Sequence, residues 1–272
     1  IKPMNCPHHT QIYASRPRSY RELPLRYSEN TTVYRDEQAG ELLGLARVRS
    51  ITQDDGHIFC RPDQIEEEIS RVLTSISKFY SAFDFKLTAR LSLRDPKAPE
   101  KYLGSDEIWT NAERILEEVL LKNNFPAPEK AEGEAAFYGP KIDFTAKDSL
   151  GRTWQLATAQ LDFNVPERFE LEYIAEDGSR QRPVMIHRAI LGAYERFIAV
   201  LLEHYNGSLP LWLSPVQVAV LLILDEVHEY AQSVVDTLKA NGIRVTQDKR
   251  NESIGKKIKD ASDQKIPVLL II

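Results

Sequence analysis

The residues able to do chemistry concentrate in residues 34–60, YRDEQAGELLGLARVRSITQDDGHIFC. The run reads as two strands joined by a loop. Alternate residues of a strand face one side, so Arg47, Arg49, Ile51, Gln53, Asp55 and His57 are expected to line a single surface. Five of those six side chains are polar or charged. Val48, Ser50, Thr52, Asp54, Gly56 and Ile58 take the opposite face, which is not clearly apolar either. Arg35 and Glu37, on the preceding strand, share a parity and join the same surface across the pairing. Guanidiniums beside carboxylates, an amide and an imidazole suit a polyanionic ligand with an amine or a metal nearby. The competing interpretation is a solvated sheet face with charge pairs. Solvated strands favour Thr, Lys and Glu, whereas Gln-Asp-Asp-Gly-His offers ligand groups and, at Gly56, room for something to approach the backbone closely.

The elements that position these residues follow from periodicity. Residues 6–15 read as a short helix after Pro3 and Pro7, and residues 23–28 as a strand leading into the hairpin. Arg61-Pro62-Asp63 opens a helix, with proline where its missing N–H costs nothing. Ile65, Ile69, Val72, Leu73, Ile76, Phe79 and Tyr80 then recur at helical spacing. Residues 86–93 alternate as a strand, and Ser105 caps an amphipathic helix reaching about residue 123. The charged run 129–134 reads as a loop, 135–145 as strand, turn and strand broken at Gly139-Pro140, 153–163 as a strand, and 169–186 as a hairpin turning at Asp177-Gly178. From His187 the pattern predicts a helix to about residue 205, with Arg188, Gly192 and Arg196 spaced by four on one side. That side is either solvated or, since a mid-helix glycine costs about 1 kcal/mol, passed closely by a ligand at Gly192.

Asn206-Gly-Ser-Leu-Pro210 breaks the pattern and sets a domain boundary, giving domains 1–208 and 209–272. Beyond it, apolar strands at 216–224, 243–246 and 268–272 alternate with helices at 225–240 and 254–261. This is the pattern of a small α/β domain with a mainly parallel sheet covered on both faces.

Composition narrows the class. The 272 residues are 42% hydrophobic and 28% charged, as in an ordinary soluble protein, and the net charge of −5 does not advertise nucleic-acid binding. Two cysteines, Cys6 and Cys60, argue against a disulfide framework and fit a reducing, cytoplasmic compartment. No run of about 18 apolar residues predicts a membrane span, and no signal peptide opens the chain. Ile1 at one end and the apolar Val268-Leu-Leu-Ile-Ile272 at the other read as cut ends, hence a fragment.

Met4-Asn-Cys-Pro7, Arg35-x-Glu37, Arg47-Val-Arg49, Thr52-Gln-Asp-Asp55-x-His57-Ile-Phe, Phe137-Tyr-Gly-Pro-Lys141, Gln160-Leu-Asp-Phe163 and Met185-Ile-His-Arg-Ala-Ile-Leu-Gly192 occur in that order over nearly the whole chain. Together they resemble the threonyl-tRNA synthetase branch of the class II aminoacyl-tRNA synthetases. The resemblance implies an α+β catalytic domain on a mixed, mainly antiparallel sheet, followed by an anticodon-binding domain whose end is absent. It implies ATP-dependent activation of L-threonine to threonyl-adenylate and transfer to the 3′ end of tRNA(Thr). Arg35 would hold the ATP α-phosphate, Glu37 would place the adenine, and Arg196 would pack over the adenine and meet the γ-phosphate. Arg47 would bind phosphate; Gln155, Thr158 and Gly192 complete the nucleotide side. Lys141 joins Arg35 and Arg196 as a catalytic candidate, and Gln53, Asp55, Tyr138 and Gln160 map to the threonine end.

The same resemblance places one zinc per chain on Cys6, His57 and His187, with Mg²⁺ accompanying ATP. Three protein ligands leave zinc an open position, the pattern of a working site; threonine would chelate through amine and hydroxyl, with Asp55 accepting from the hydroxyl. Without the resemblance, a scattered cysteine and two histidines are more often structural or incidental. A homodimer is implied for the full-length protein, its interface motif lying before Ile1, and a serine-editing domain is not among these residues. The sequence departs from the family at His8, usually Gly, at Ile51, usually aromatic, at Ala157, usually Gly, and at Gln38-Ala39, usually Pro-Ser. His8 and His9 are expected to face solvent rather than crowd the zinc. Gln155 has the opposite parity from Thr158 and Gln160, so that strand needs a bulge if all three face the ligand. Lys249 to Glu252 and Gly255-Lys256-Lys257 form an expected RNA-facing basic segment. The departures leave open a catalytically altered paralogue that binds tRNA or nucleotide and serves regulation or inhibitor tolerance.

Overall fold

The computed structural model describes residues 1–148 and 150–272, with the backbone alone at Asp225. Contacts divide the chain into Ile1–Val200 and Leu201–Ile272. In the first unit, strands β1 (Leu25–Tyr34), β2 (Ser50–Cys60), β3 (Thr88–Leu93), β4 (Glu129–Glu132), β5 (Lys141–Lys147), β6 (Thr153–Asp162) and β9 (Val184–Ala193) form a sheet in the order β1-β2-β9-β6-β5-β3-β4. Every neighbouring pair is antiparallel except β3 with β4. The short strands β7 (Tyr173–Ile174) and β8 (Arg180–Gln181) make the hairpin expected at Asp177-Gly178.

Helix α2 (Ile65–Ser81) lays its apolar stripe across β9, β6 and β2, burying Ile65, Ile69, Val72, Leu73, Ile76 and Tyr80. Beside it packs α3 (Asp106–Lys122), capped as expected by Ser105 accepting from the Ile108 N–H. On the other face, α1 (Cys6–Ala14) brings Tyr13 onto Phe59, ring centroids 4.7 Å apart, in a cluster with Leu171, Tyr173 and Met185. The rest of that face carries the candidate site. The short α4 (Asn164–Arg168) follows β6.

Three local expectations are corrected. The run 187–205 is not one helix: residues 184–193 are β9, and helix α5 (Tyr194–His204) begins only afterwards. Val184 to Leu191 is mostly apolar because β9 is a central strand packed under α2 and largely buried, a pattern that periodicity cannot assign to strand or helix. Gly192 adopts φ +81°, and an added Cβ would lie 2.2 Å from the Leu156 carbonyl oxygen; the glycine marks the break between strand and helix. Secondly, Arg35, Glu37, Arg47 and Arg49 lie outside the strands, in the 35–49 connection that Leu43 and Arg47 close with an isolated bridge. Thirdly, within the charged run 129–134 the residues Glu129–Glu132 form an edge strand, where charged side chains are tolerated on a solvated margin.

In the second unit, parallel strands β10 (Val218–Leu221), β11 (Val245–Asp248) and β12 (Val268–Ile271) run in the order β11-β10-β12. Helix α6 (His228–Ala240) covers Val218, Val220 and Leu222 on one face, and α7 (Ile254–Asp263) covers Ala219 and Leu221 on the other, the alternation a doubly covered sheet requires.

Candidate functional site

At one end of the open sheet face the side chains are cationic. Arg196, in the first turn of α5, donates from Nε to the Ala46 carbonyl at 2.9 Å and from Nη1 to the Gln155 carbonyl at 3.0 Å. Burial, then the neighbouring Arg47 and Arg35, lowers its pKa. A half-buried guanidinium fixed by two carbonyls, with no carboxylate in contact among the described residues, is ready to meet an anion. The exposed Arg35 guanidinium likewise makes no hydrogen bond or ion pair to any described residue. Glu37 and Arg47 are each other's partner at 2.8 Å, and Glu41 adds a second contact to Arg47 at 3.1 Å. Arg49 donates to the Glu37 carbonyl at 2.9 Å, so the connection between β1 and β2 is tied around Glu37.

The bulge that the parity of Gln155 demanded is present. Phe144 pairs with Ala157 but Thr145 pairs with Gln155, so the register slips by one. Gln155 and Thr158 thereby both reach Asp143 Oδ1, at 2.6 and 3.1 Å. Asp143 is fully buried; its Oδ2 lies 2.9 Å from Lys141 Nζ and accepts from Ser92 Oγ at 2.9 Å. Sequence reasoning missed this hub, whose only signal was sharing the parity of Lys141 on β5.

Asp54 was missed as well. Its Oδ1 accepts from the Leu191 and Gly192 N–H groups at 3.1 and 2.9 Å, while Oδ2 accepts from the Ile190 N–H at 2.9 Å and from Arg188 Nη1 at 3.2 Å. These bonds hold the part of β9 where pairing jumps from Asp55–Ala189 to Gln53–Ala193. Arg188 reaches Asp54 by crossing Gly56, where an added Cβ would lie 2.6 Å from the guanidinium. The close approach expected at Gly56 is therefore made by the protein's own arginine. Replacing Asp54 with alanine strands three backbone donors, while Arg188 keeps the Asp54 carbonyl at 2.9 Å and Ser28 Oγ at 2.6 Å; since each orphaned donor costs about 1–3 kcal/mol, the expected loss of stability is about 3 kcal/mol or more. Urea unfolding checks this; a loss below about 1 kcal/mol would show that water replaces the carboxylate.

At the other end lies a candidate metal centre. Cys6 starts α1, His57 stands on β2, and His187 pairs with His57 across the β2–β9 register. Their ligand atoms all lie within 4.8 Å of one another. Cys6 Sγ is 3.5 Å from His187 Nδ1, while His187 Nε2 is 2.8 Å from Asp162 Oδ2. Burial lowers the pKa of His187, but its hydrogen bonds to Asp162 and Cys6 override this and lift it to about 10. Asp162 is itself fixed, since Oδ1 accepts the Asn164 and Val165 N–H groups at the start of α4. Among the described residues His57 Nε2 is buried without a hydrogen-bond partner. Burial first, then His187, His9 and Arg188, holds the His57 pKa well below the usual range, so at neutral pH the ring keeps a lone pair to donate. One thiol, two imidazoles and one orphaned ring nitrogen fit zinc. Cys60, by contrast, is fully buried, with its thiol pushed up to about 12 by burial.

His8 is exposed, as expected, but His9 is not. His9 is 4% exposed and lies against His57, because the turn of α1 that presents Cys6 also points residue 9 inward.

Between the two ends, Tyr138 stacks on His187 with centroids 4.9 Å apart and donates to Gln160 Oε1. Burial raises the Tyr138 pKa, which keeps the phenol a donor. Asp55 Oδ1 lies 4.0 Å from His57 Nε2, and burial raises the Asp55 pKa against the pull of His187 and Arg188. Gln53 stands half-buried two residues before Asp55, and Ile51 is buried two before that.

In the second unit the basic segment is largely neutralised. Arg250 pairs with Asp248 at 2.6 Å and with Asp260 at 3.0 Å, and Lys256 pairs with Asp260 at 2.8 Å. Lys257 is 4% exposed and donates to the Leu222 carbonyl at 2.9 Å, which corrects the expectation that it faces RNA. Position in α7, facing β10, decides its role.

Residues 1–205 match the family described as tRNA synthetase class II core domain (G, H, P, S and T), and residues 217–272 match the anticodon binding domain. The threonine–tRNA ligase of Cytophaga hutchinsonii is 52% identical over 273 residues, covering 100% of this chain and 42% of that protein. That of Bacteroides thetaiotaomicron is 55% identical over 274 residues with the same coverage. The chain thus spans about 42% of the length of the curated relatives it matches. Among solved structures, the RNA binding domain of threonyl-tRNA synthetase from Cryptosporidium parvum superposes with a TM-score of 0.93 at 42% identity, covering 100% of this chain and 67% of that one. A putative threonyl-tRNA synthetase from Aeropyrum pernix gives 0.85 at 32% identity, covering 100% and 64%. The prolyl-tRNA synthetase of Cryptosporidium parvum, at 19% identity, a TM-score of 0.72 and coverage of 100% and 53%, shows the shared fold alone.

Proposed function

The chain belongs to the threonyl-tRNA synthetase family of the class II aminoacyl-tRNA synthetases, and from that premise we propose that the protein carrying it activates L-threonine with ATP and transfers it to tRNA(Thr). The carrying observation is that one sheet face has an anion-ready guanidinium at one end and, at the other, the cluster of Cys6, His57 and His187, in which the buried His57 Nε2 has no hydrogen-bond partner among the described residues.

In the proposed first step the threonine carboxylate attacks the α-phosphorus of ATP, pyrophosphate leaves, and threonyl-adenylate remains. In the second, the ribose hydroxyl at the tRNA 3′ end attacks the acyl carbon and AMP leaves. Neither step needs a protein nucleophile, so the chain contributes position and charge. Arg35 and Arg196 face the phosphates of an ATP that arrives with Mg²⁺. Arg47 adds positive potential there while its ion pair holds Glu37 for the adenine. Asp143 sets Gln155, Thr158 and Lys141 along the floor, and Gly192 lets the turn into α5 close against the Leu156 carbonyl beside the nucleotide. Zinc, held by Cys6, His57 and His187, supplies when bound a Lewis-acidic position that an amine and a hydroxyl can share. Asp55 accepts from the substrate hydroxyl, and Tyr138, Gln160 and Gln53 close around the substrate.

This reading assigns residues 1–208 to the catalytic domain and 209–272 to the anticodon-binding domain, in a cytoplasmic homodimer. Among the described residues no helix is long and apolar enough to cross a membrane. In the full-length protein carrying this chain, exchange of pyrophosphate into ATP is expected to depend on L-threonine. Zinc-loaded protein that shows no threonine-dependent exchange overturns the proposal in favour of a nucleotide- or tRNA-binding paralogue.

A further inference from the structure

We infer that His9 is a positioning residue for the metal centre, holding His57 from behind so that its Nε2 lone pair points at the metal. The inference rests on the metal-site reading of Cys6, His57 and His187. His9 Nδ1 lies 2.7 Å from His57 Nδ1, and the two rings meet edge to face at 80° with centroids 4.8 Å apart. A hydrogen bond between two Nδ1 atoms carries one proton, and the ring that owns it fixes what the other nitrogen can do. Among the described residues His57 Nε2 is buried without a hydrogen-bond partner, and His57 belongs to the cluster with Cys6 and His187 whose ligand atoms lie within 4.8 Å of one another. That nitrogen can ligate only if the His57 proton sits on Nδ1, so His57 donates and His9 accepts.

The proton of neutral His9 then sits on its Nε2, which faces Glu29 Oε1 at 3.9 Å. Glu29 is held in turn by the Asn5 side-chain amide, and Lys2 Nζ lies 3.6 Å from it. His9 thus does for His57 what Asp162 does for His187: it settles the tautomer and the ring plane from the second coordination shell. Groups in this position typically change metal affinity 10–100-fold when removed. His9 and Cys6 sit three residues apart on α1, so one helix delivers both the thiol and the support for the imidazole opposite.

The test compares His9→Leu with His9→Asn. Leucine fills the space but accepts no proton, whereas the asparagine Oδ1 can occupy the place of Nδ1 and accept from His57. Zinc affinity is measured on purified protein by competition with a chromogenic chelator, and urea unfolding of the zinc-free proteins checks that each variant folds. The expected result is a 10–100-fold weaker affinity for His9→Leu and an affinity close to wild type for His9→Asn. Wild-type affinity in His9→Leu overturns the inference alone, as does equal weakening in both variants, which would mean that ring volume rather than the acceptor matters. A wild-type protein that binds no zinc overturns the metal-site reading and this inference with it.

Discussion

Replacing Arg196 with alanine is expected to lower kcat/KM for threonine-dependent pyrophosphate exchange by about 10³-fold or more, roughly 4 kcal/mol of transition-state stabilisation. The size follows from how the side chain is held. Two backbone carbonyls, those of Ala46 and Gln155, fix its plane, and nothing anionic among the described residues touches it. Glu37 offsets its charge only at a distance, which leaves the guanidinium free to pair directly with the proposed phosphate. Burial, Arg47 and Arg35 lower its pKa against the pull of Glu37, and in this half-buried setting a polyanion gains more from the charge than from a solvated arginine. Lysine is a poor substitute, because an ammonium cannot meet both carbonyls and still present a donor edge to the ligand. Arg250, saturated by Asp248 and Asp260, is the counter-example within the same chain. Zinc content should not change in Arg196→Ala. Activity retained within about tenfold would remove Arg196 from the proposed phosphate end.

The sequence disclosed the sheet but not its joints. Alternation in residues 50–60, the α2 stripe and the Ser105 cap were legible because each is a local pattern with a single period. The β9–α5 junction was not, since an apolar run on a buried central strand fits both periods, and Gly192 carries the same letter as a mid-helix break or as a turn. The parity conflict at Gln155 did announce its bulge. Asp54 and Asp143 could not be found that way: each acts on residues far along the chain, Asp54 on amides 190–192 and Asp143 on Ser92 and Gln155. A carboxylate that holds backbone looks, in sequence, like any charged strand residue. The metal trio has the same character. Cys6, His57 and His187 are separated by a helix, a sheet and more than half the chain, and only the resemblance grouped them before the register placed His57 opposite His187. His9 was misassigned because facing direction on a helix of nine residues depends on what the helix docks against.

The same geometry makes a selectivity prediction of larger size. Asp55, half-buried with Oδ1 4.0 Å from His57 Nε2, forms a polar corner that, in the proposed reaction, a substrate hydroxyl would satisfy together with the metal. Valine matches threonine in shape but lacks that hydroxyl, so it leaves Asp55 and the ligand position unpaired; sites of this kind reject the deficient analogue by about 10⁴–10⁵. Serine keeps the hydroxyl and lacks only a methyl, worth about 1–3 kcal/mol, so its rejection is limited to roughly 10–200-fold. The direct measurement is pyrophosphate exchange by the full-length, zinc-loaded protein with threonine, serine and valine side by side. The account predicts the order threonine, serine, valine, with kcat/KM for valine about 10⁴-fold or more below threonine; valine activated within about tenfold of threonine would contradict it.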